Sequence, residues 1–465
     1  MNPRTNTDHG SIVLLSCYES GRQPLYLAWP LAVLKEVNLP ARAFDLAVEE
    51  FPTHAISVAT FVGISAPMHT ALRLGVQVAE RIRSINPDVH ICFYGLYAWL
   101  NAEYLLEKYA DSIITGEPER PLLELIQTLE RGGIPDHVSA VTTQSTKSAP
   151  NLERSTLPIP DRKPLPPLEN YAQYTSPESR TLAGYVESSR GCLHTCTHCP
   201  VVPVYNGRFF VIPLETVLAD IRQQVAAGGG HITFGDPDFL NGPGHALKIA
   251  RALHAEFPWL SFDFTAKVEH IVEQRAFFPE FSQLGCTFIT SAFESTRDHI
   301  LARLQKGHTL KDMGTALEIL AGAGIAIQPT WMPFTPWTSL EDYLHLLGWI
   351  RSHNFIFHVP VVQLSIRMLV PPNSALLNQP DADAWLGPFD PSNFTYRWAH
   401  PDARMDELQM QVAALAESQS ASDAFAAFSA IETLANQYAG IISESAPIPL
   451  TALFAPPRLT EDWFC

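Results

Sequence analysis

The sequence predicts an α/β protein: an open parallel sheet at the N-terminus, a second run of strand–helix units, and a helical C-terminal tail. Three observations predict this. Short apolar runs alternate with helical patterns over the first 130 residues. A proline-dense stretch then breaks the alternation. From Thr181 the alternation resumes, with six strand–helix pairs before an alanine-rich end.

Ser11–Ser16 (SIVLLS) is a first strand, and Leu25–Val37 carries a helical pattern. Ala41–Leu46 and Phe61–Ser65 read as further strands. Thr70–Ile85 places Leu72, Val76 and Ile82 at helical spacing, and Val89–Tyr94 and Ser112–Thr115 complete the sheet. In sheets of this kind ligands bind beyond the C-terminal strand ends. The stretch Arg131–Pro177 holds Pro150, Pro158, Pro160, Pro164, Pro166, Pro167 and Pro177, a density that favours an extended strap. After it, Gly184–Ser188, His231–Phe234, Ser261–Thr265, Thr287–Ala292, Gly324–Trp331 and Pro360–Ile366 are strand candidates. Helical patterns fill the gaps, starting at Pro213 and ending at the Gly228–Gly230 triplet in the first case. Asp406–Gln437 reads as one or two helices. The expected domains are residues 1–130, a connector at 131–180, a second α/β domain at 181–375 and a helical C-terminal region at 376–465.

Composition excludes several classes. At 465 residues, with 46% hydrophobic and only 17% charged, the chain can bury two or three sizeable cores. A formal net charge of −17 argues against nucleic acid or an anionic membrane as partner. Met1–Gly10 is polar, with no apolar signal region, and no apolar stretch reaches membrane-spanning length. Seven cysteines, three of them clustered, do not form a disulfide framework, so a reducing cytoplasm is expected.

The clustered cysteines carry the chemistry. Cys192, Cys196 and Cys199 lie in GCLHTCTHCP with C-x3-C-x2-C spacing. Three thiolates this close can hold three corners of a 4Fe–4S cluster, leaving the fourth iron open to bind and activate a ligand. A structural zinc site is the alternative, but it needs four protein ligands, and His194 and His198 lie inside the tight loop. A redox C-x-x-C uses only two of the cysteines.

This spacing after a short strand resembles the signature of the radical S-adenosylmethionine (SAM) superfamily. The resemblance implies a partial (β/α)6 barrel, with the cluster after its first strand and chemistry at the C-terminal strand ends. It implies that Cys192, Cys196 and Cys199 are the catalytic cluster ligands and that the open iron holds SAM. The Gly235-Asp236-Pro237-Asp238 stretch, in register after the second barrel strand, would meet the SAM ammonium; a plain Asp-Pro turn is the alternative. Lys267, Glu269 and His270 follow the third strand, Glu294 and Ser295 the fourth, and Lys306 lies in the helix after them. The Glu294–Thr309 stretch resembles the SAM-contacting segment of cobalamin-type members. A carboxylate there can accept ribose hydroxyls and a lysine can pair with the SAM carboxylate, although solvated charge at a helix start is the ordinary alternative. Trp331, Pro333, Thr335, Trp337, Gln363, Ser365 and Arg367 are placed to shape a substrate pocket, or to form structural contacts.

Residues 11–130 resemble the Rossmann-like cobalamin-binding domain that precedes many radical SAM domains, which adds cobalamin as a candidate cofactor. They depart from it in one respect. The family often carries Asp-x-His-x-x-Gly after the first strand, whereas Cys17–Pro24 contains no histidine, and His69 follows a different strand. The tail Leu459–Cys465 and the Cys199–Arg208 arrangement resemble radical SAM (seleno)proteins named for a Cys-Sec/Cys-Ala-Glu-Pro end. That resemblance implies a selenocysteine or cysteine after Cys465. The expectation is thus a radical SAM enzyme that cleaves SAM to modify a small molecule, with one electron from a flavodoxin or ferredoxin. Cobalamin-dependent methyl transfer and 3-amino-3-carboxypropyl transfer are its two finer forms, and a non-catalytic cobalamin or metal sensor is the rival.

Overall fold

Strands covered on both faces must be apolar along their length, and the central strands of the first sheet are. The computed structural model describes residues 11–153, 157–419, 424–441 and 455–461. Strands β1 (Ser11–Ser16), β2 (Ala41–Asp45), β3 (Ala59–Ser65), β4 (His90–Tyr94) and β5 (Ser112–Ile114) run parallel in the order β2-β1-β3-β4-β5. The short β6 (Val141–Thr142) pairs antiparallel with β5. Alternate side chains feed two cores: Ile12, Leu14 and Phe61 on one face, Val13, Leu15 and Val62 on the other. The order reverses direction between β1 and β3, which makes their C-terminal ends the switch-point crevice of the sheet.

The helix Leu25–Glu36 is buried around most of its surface, as a helix between two layers must be. Its internal Pro30 has no N–H to give the Tyr26 carbonyl one turn back, and the Tyr94 hydroxyl supplies that hydrogen bond at 2.8 Å. On this side the first core runs without a break through connector residues Leu157 and Leu165 into the second domain at Val186 and Ile232.

The second sheet has the order β14-β13-β12-β11-β8-β7-β17. Strands β8 (Arg180–Val186), β11 (Gly229–Phe234), β12 (Ser261–Thr265), β13 (Cys286–Glu294) and β14 (Ala326–Trp331) are parallel. Antiparallel β7 (Gln173–Thr175) and β17 (Arg458–Leu459) extend the β8 edge. Helices cover the outside, two of them opened by full capping boxes at Thr309/Asp312 and Ser339/Asp342. Between β8 and β11, the hairpin of β9 (Ser189–Gly191) and β10 (Phe209–Val211) carries the cysteines in its connection. A second hairpin, β15 (Leu386–Asp390) with β16 (Thr395–Trp398), and the helices Ala403–Gln419 and Ala424–Tyr438 follow.

The α/β fold class holds, with four local corrections. Pro360–Ile366, expected as a sixth parallel strand, is a 3-10 turn at Val361–Ser365, because the Tyr343 hydroxyl takes the Leu364 carbonyl and Gln363 turns inward to accept from the Trp331 N–H at 2.9 Å. The sheet is instead widened on its other side by β7 and β17. The connector is not wholly irregular: it contributes β6 and β7. Of the glycine triplet, only Gly228 ends a helix, with φ +94°; Gly229 and Gly230 belong to β11, where a Cβ on Gly230 would stand 2.2 Å from the Thr181 hydroxyl. Finally, Lys306 lies in the turn after the helix Asp298–Arg303, not within a helix. Cys465 and the tail residues before it, from Asp462 on, lie outside the described residues.

Buried polar contacts fix how the layers meet. Arg162 of the connector grips Asp220 with two parallel bonds of 3.0 and 2.8 Å, donates to the Tyr185 carbonyl of β8 at 2.6 Å, and reaches Gln23 of the first domain at 3.2 Å. Its side chain is only 6% exposed and that of Asp220 2%. Removing one partner strands the other charge away from water. Arg162→Ala should therefore cost about 3–5 kcal/mol of unfolding free energy, read as a lowered denaturant midpoint, and Arg162→Met combined with Asp220→Leu should recover most of that loss.

Candidate cluster and cofactor site

The site begins where β8 ends. Gly191 has φ +78°, and a Cβ there would lie 2.4 Å from the Arg208 carbonyl, so only glycine lets the hairpin close under the cysteine loop. The loop is then pinned along its length. The Cys192 N–H donates to Arg208 at 3.1 Å, and the Leu193 N–H donates to the Asn241 side chain at 3.2 Å. The Thr197 N–H and hydroxyl donate to the Leu304 and Arg303 carbonyls, both at 3.1 Å. Cys196 is buried, Cys192 and Cys199 are half-buried, and none is in a disulfide. Burial pushes the Cys192 thiol up to about 11 and the Cys199 thiol up to about 12; Cys196 adds to the rise at both, and Cys192 to that at Cys199. Three clustered thiols, of which Cys192 and Cys199 resist ionisation alone, fit a group that binds them as thiolates, as an iron–sulfur cluster does.

Around this loop the structure gathers the residues singled out in the sequence. Gly235 follows β11, and a Cβ there would overlap the Tyr185 ring at 2.1 Å, so glycine is required for this close approach. The carboxylates of Asp236 and Asp238, however, point back into the protein. Asp236 accepts from the Ser188 hydroxyl at 2.7 Å, from the Ser188 N–H at 3.0 Å and from the Ser189 hydroxyl. Burial outweighs these bonds and raises it to about 6. Asp238 caps the turn Phe239–Asn241 through the Leu240 N–H at 2.9 Å and accepts from the Lys267 N–H at 3.2 Å and His270 Nδ1 at 2.9 Å. Both carboxylates brace the turn, and backbone groups are what it can offer a ligand.

Glu294 sits at the end of β13 with φ +62°, a conformation rare outside glycine, held by its place between Phe293 and Ser295. Its Oε1 meets Lys306 Nζ at 3.2 Å and His198 Nε2 at 3.2 Å. Burial alone would raise this carboxyl, but the Lys306 ammonium and the His198 hydrogen bond prevail and hold it at about 2. Lys306 is 3% exposed and feels Cys196 and Cys199 as well as Glu294. Lys267 pairs with Glu269 at 3.1 Å at the edge of the same site. Ser295 is buried beside Glu294, but its hydroxyl accepts from the Arg297 N–H at 3.2 Å and starts the next helix.

Four histidines join these residues: the sequence reading notes His270 beside Lys267, weighs His194 and His198 only as zinc ligands, and gives His308 no role of its own. His198, between two of the cysteines, anchors Glu294. His308 is 6% exposed, neither ring nitrogen makes a well-formed hydrogen bond, and burial with Lys306 and Lys267 lowers it to about 4. His194 and His270 meet beside Asp238. Their only sequence signal was their place beside motif residues. Two of the expected pocket residues make structural contacts. Trp331 is 1% exposed and packs edge-on to Phe293 and Trp349. Arg367 pairs with Asp406 at 2.6 Å and lies 3.5 Å over the Trp398 ring.

The switch-point crevice of the first sheet is where a corrin would be expected to bind. Its loops touch each other, Ser20 Oγ standing 3.6 Å from Met68 Sδ. Glu461, past β17, accepts from the Tyr18 hydroxyl at 2.6 Å and fills the space over Gly21. His69 has its Nε2 on the Asn393 carbonyl at 2.6 Å, so that nitrogen is the donor and cannot face a metal. Asp45, at the end of β2, takes the Tyr171 hydroxyl at 2.9 Å. The described residues therefore bridge the crevice with their own groups and present no imidazole in it. A corrin held there would have no histidine ligand from these loops.

Comparison with known proteins agrees with this architecture. The sequence profile of the radical SAM superfamily matches residues 186–347. The hopanoid C-3 methylase of Methylococcus capsulatus is 23% identical over 260 residues, 54% of this chain and 48% of that protein. The tRNA-2-methylthio-N(6)-dimethylallyladenosine synthase of Chlorobium limicola is 27% identical over 165 residues, 33% of this chain and 36% of that protein. This chain thus spans half or less of the length of these curated relatives. Among solved structures, the cobalamin-dependent SAM radical enzyme OxsB with aqua-cobalamin and SAM superposes with a TM-score of 0.70 at 16% identity, covering 93% of this chain and 72% of that one. The radical SAM methyltransferase TsrM from Kitasatospora setae, with tryptophan and a SAM analogue, gives 0.60 at 16% identity over 73% of this chain and 71% of that one. Residues 186–347 thus match the radical SAM superfamily, and the fold around them is similar to that of solved cobalamin-dependent radical SAM enzymes.

Proposed function

We propose that the chain binds a 4Fe–4S cluster through Cys192, Cys196 and Cys199, cleaves SAM reductively, and transfers a SAM-derived group to a small molecule. The observation that carries this is the buried cradle of Glu294, Lys306 and His198 against the cysteine loop. When bound, a 4Fe–4S cluster with an open iron supplies SAM chelation and, once reduced by a flavodoxin- or ferredoxin-type donor, the cleaving electron. The chain's own residues do the rest. Glu294 stays ionised and offers acceptor oxygens for ribose hydroxyls. Lys306, and Lys267 at the edge, provide cations for a carboxylate. The glycine at 235 exposes backbone for an ammonium, while Asp236 and Asp238 hold that turn in place. Burial of the whole set keeps water from a reactive intermediate.

Two finer readings divide on one feature. The names of the relatives, a methylase and a methyltransferase, support methyl transfer. The bridged crevice under Glu461 favours a transfer that needs no corrin, such as aminocarboxypropyl transfer to a soft atom. The deciding experiment is anaerobic turnover of reconstituted protein with SAM and dithionite, followed by identification of the nucleoside. 5′-Deoxyadenosine with S-adenosylhomocysteine supports cobalamin-dependent methylation, and methylthioadenosine supports aminocarboxypropyl transfer. No nucleoside from protein with a full cluster sinks the enzyme reading and leaves the sensor. Cys192→Ala should lose the cluster and give only baseline.

Two variants probe the cradle. Glu294→Gln removes a charged acceptor and leaves Lys306 unpaired, so the SAM dissociation constant should rise about 10–100-fold, measured by equilibrium binding to cluster-loaded protein. The second concerns pH. Glu294 has a depressed pKa, so its stabilising share is complete above the ordinary value of 4.5 and fades as pH falls toward about 2. The stability gap between wild type and Glu294→Gln should be flat from neutral pH down to that ordinary value and shrink below it, in denaturant midpoints taken across the range.

A further inference from the structure

Large apolar side chains left in water next to a redox site mark a contact surface. Leu193, the residue after Cys192, is 45% exposed, and Val211, at the end of β10, is 44% exposed. They belong to one face. The Leu193 N–H donates to the Asn241 side chain at 3.2 Å, and a Cβ on the adjoining Gly242 would lie 3.4 Å from the Phe209 ring and 3.7 Å from Val211. Phe209 is half-buried there. Inward, the face rests on the cluster ligands, since Phe210 packs in the same small apolar group as Cys192 and Cys199. The free cations of this face are also notable in a chain of formal net charge −17. Arg208, whose carbonyl accepts from the Cys192 N–H at 3.1 Å, is exposed, and so is Lys248 on the helix Pro243–Glu256, which begins beside Val211. Among the described residues neither has an ion-pair partner. The acidic groups nearby are engaged elsewhere: Glu269 pairs with Lys267 at 3.1 Å and meets His194, and Glu215 of the following helix bears on Arg222.

We propose that Leu193, Phe209 and Val211, with Arg208 and Lys248 at their rim, form the docking surface for the electron donor, and that the donor is a flavodoxin: a small acidic protein that presents the apolar edge of its flavin. Distance and complementarity carry this. Electron transfer through protein slows steeply with distance, and here the surface residue Leu193 is bonded directly to a cluster ligand. An apolar centre with a cationic rim fits an acidic partner whose redox group has an apolar edge. In the transfer, the anionic flavin hydroquinone loses one electron and becomes the neutral semiquinone, and the oxidised cluster gains that electron. No bond forms or breaks and no proton moves. Once the donor has left, the face is free of it, so the open iron and SAM on the barrel side are untouched by docking. The charges act on the encounter, steering an acidic partner onto a chain that elsewhere repels it.

This inference rests on the proposed function, because it needs the cluster, and the test separates the two. Cluster-loaded wild type is compared with the double variant Arg208→Glu, Lys248→Glu, with Leu193→Asp, and with Arg42→Glu, an exposed site on the far edge strand β2. Affinity for oxidised flavodoxin is measured by calorimetry, and cluster reduction by flavodoxin hydroquinone by stopped-flow absorbance at low and high salt. Reduction by dithionite, which needs no docking, is the reference. Iron content should match wild type throughout; if Leu193→Asp loads less iron, the double variant decides. The double variant should bind flavodoxin about ten-fold more weakly and be reduced by it about ten-fold more slowly at low salt, with the gap closing as salt rises. Leu193→Asp should lose a similar factor, and Arg42→Glu should behave as wild type. Dithionite should reduce all four at one rate. Flavodoxin kinetics indifferent to the double reversal, or an equal loss in Arg42→Glu, overturn the docking surface alone. So does a wild-type cluster that dithionite reduces and flavodoxin does not, or a charge dependence seen only with a ferredoxin. SAM left intact by a cluster that flavodoxin has reduced sinks the proposed function and leaves the surface standing. Wild type that forms no cluster overturns both.

Discussion

Arg190 has three carboxylates around a guanidinium that is only 11% exposed. Glu117 and Glu119 come from the end of β5 and the helix after it, at 2.5 and 2.7 Å, and Glu187 from the end of β8 at 3.0 Å. The Tyr205 hydroxyl, from the cysteine loop, closes on Glu117 at 2.5 Å, and the Trp29 ring lies 5.4 Å from the cation. One planar cation thus ties the first sheet, the second sheet and the loop that begins two residues later. Burial raises Glu117 and Glu187; Arg190 opposes that rise at both, and the Tyr205 hydroxyl opposes it at Glu117. A buried arrangement of this kind is costly to break and tolerates no compact substitute for the forked donor. The position of the cysteines relative to both sheets follows from it.

Much of this was legible in the sequence because it rested on spacing. The C-x3-C-x2-C run fixes a loop whatever surrounds it, and strand–helix alternation fixes a parallel sheet. What remained hidden depended on partners far along the chain. Asp236 and Asp238 read as free acceptors at a strand end. Which way a carboxylate turns depends on Ser188, Ser189 and His270, and nothing local announces them. Pro360–Ile366 has the composition of a strand, but Gln363 is claimed by the Trp331 N–H and the segment coils. His308 and His198 are ordinary histidines in sequence; their burial against Lys306 and Glu294 makes them unusual.

The first domain keeps the parallel sheet and differs in the loops at its strand ends. Its strand order creates a crevice between β1 and β3, the position where such sheets receive ligands. Here Tyr18, Ser20 and Gly21 on one wall meet Met68 and Glu461 instead. The domain still has structural work, since its core is continuous with that of the barrel and its acidic strand end anchors Arg190.

β17 completes the edge of β7, yet Arg458 and Thr175, which meet there, are 283 positions apart in the chain. On a ribosome adding about 5–20 residues per second, β7 waits roughly 15–60 s for that partner. During this interval its outer backbone groups are open to any passing strand. The brevity of β7, only three residues, leaves such an encounter little to hold. A longer strand would give a firmer barrel and a more hazardous nascent chain.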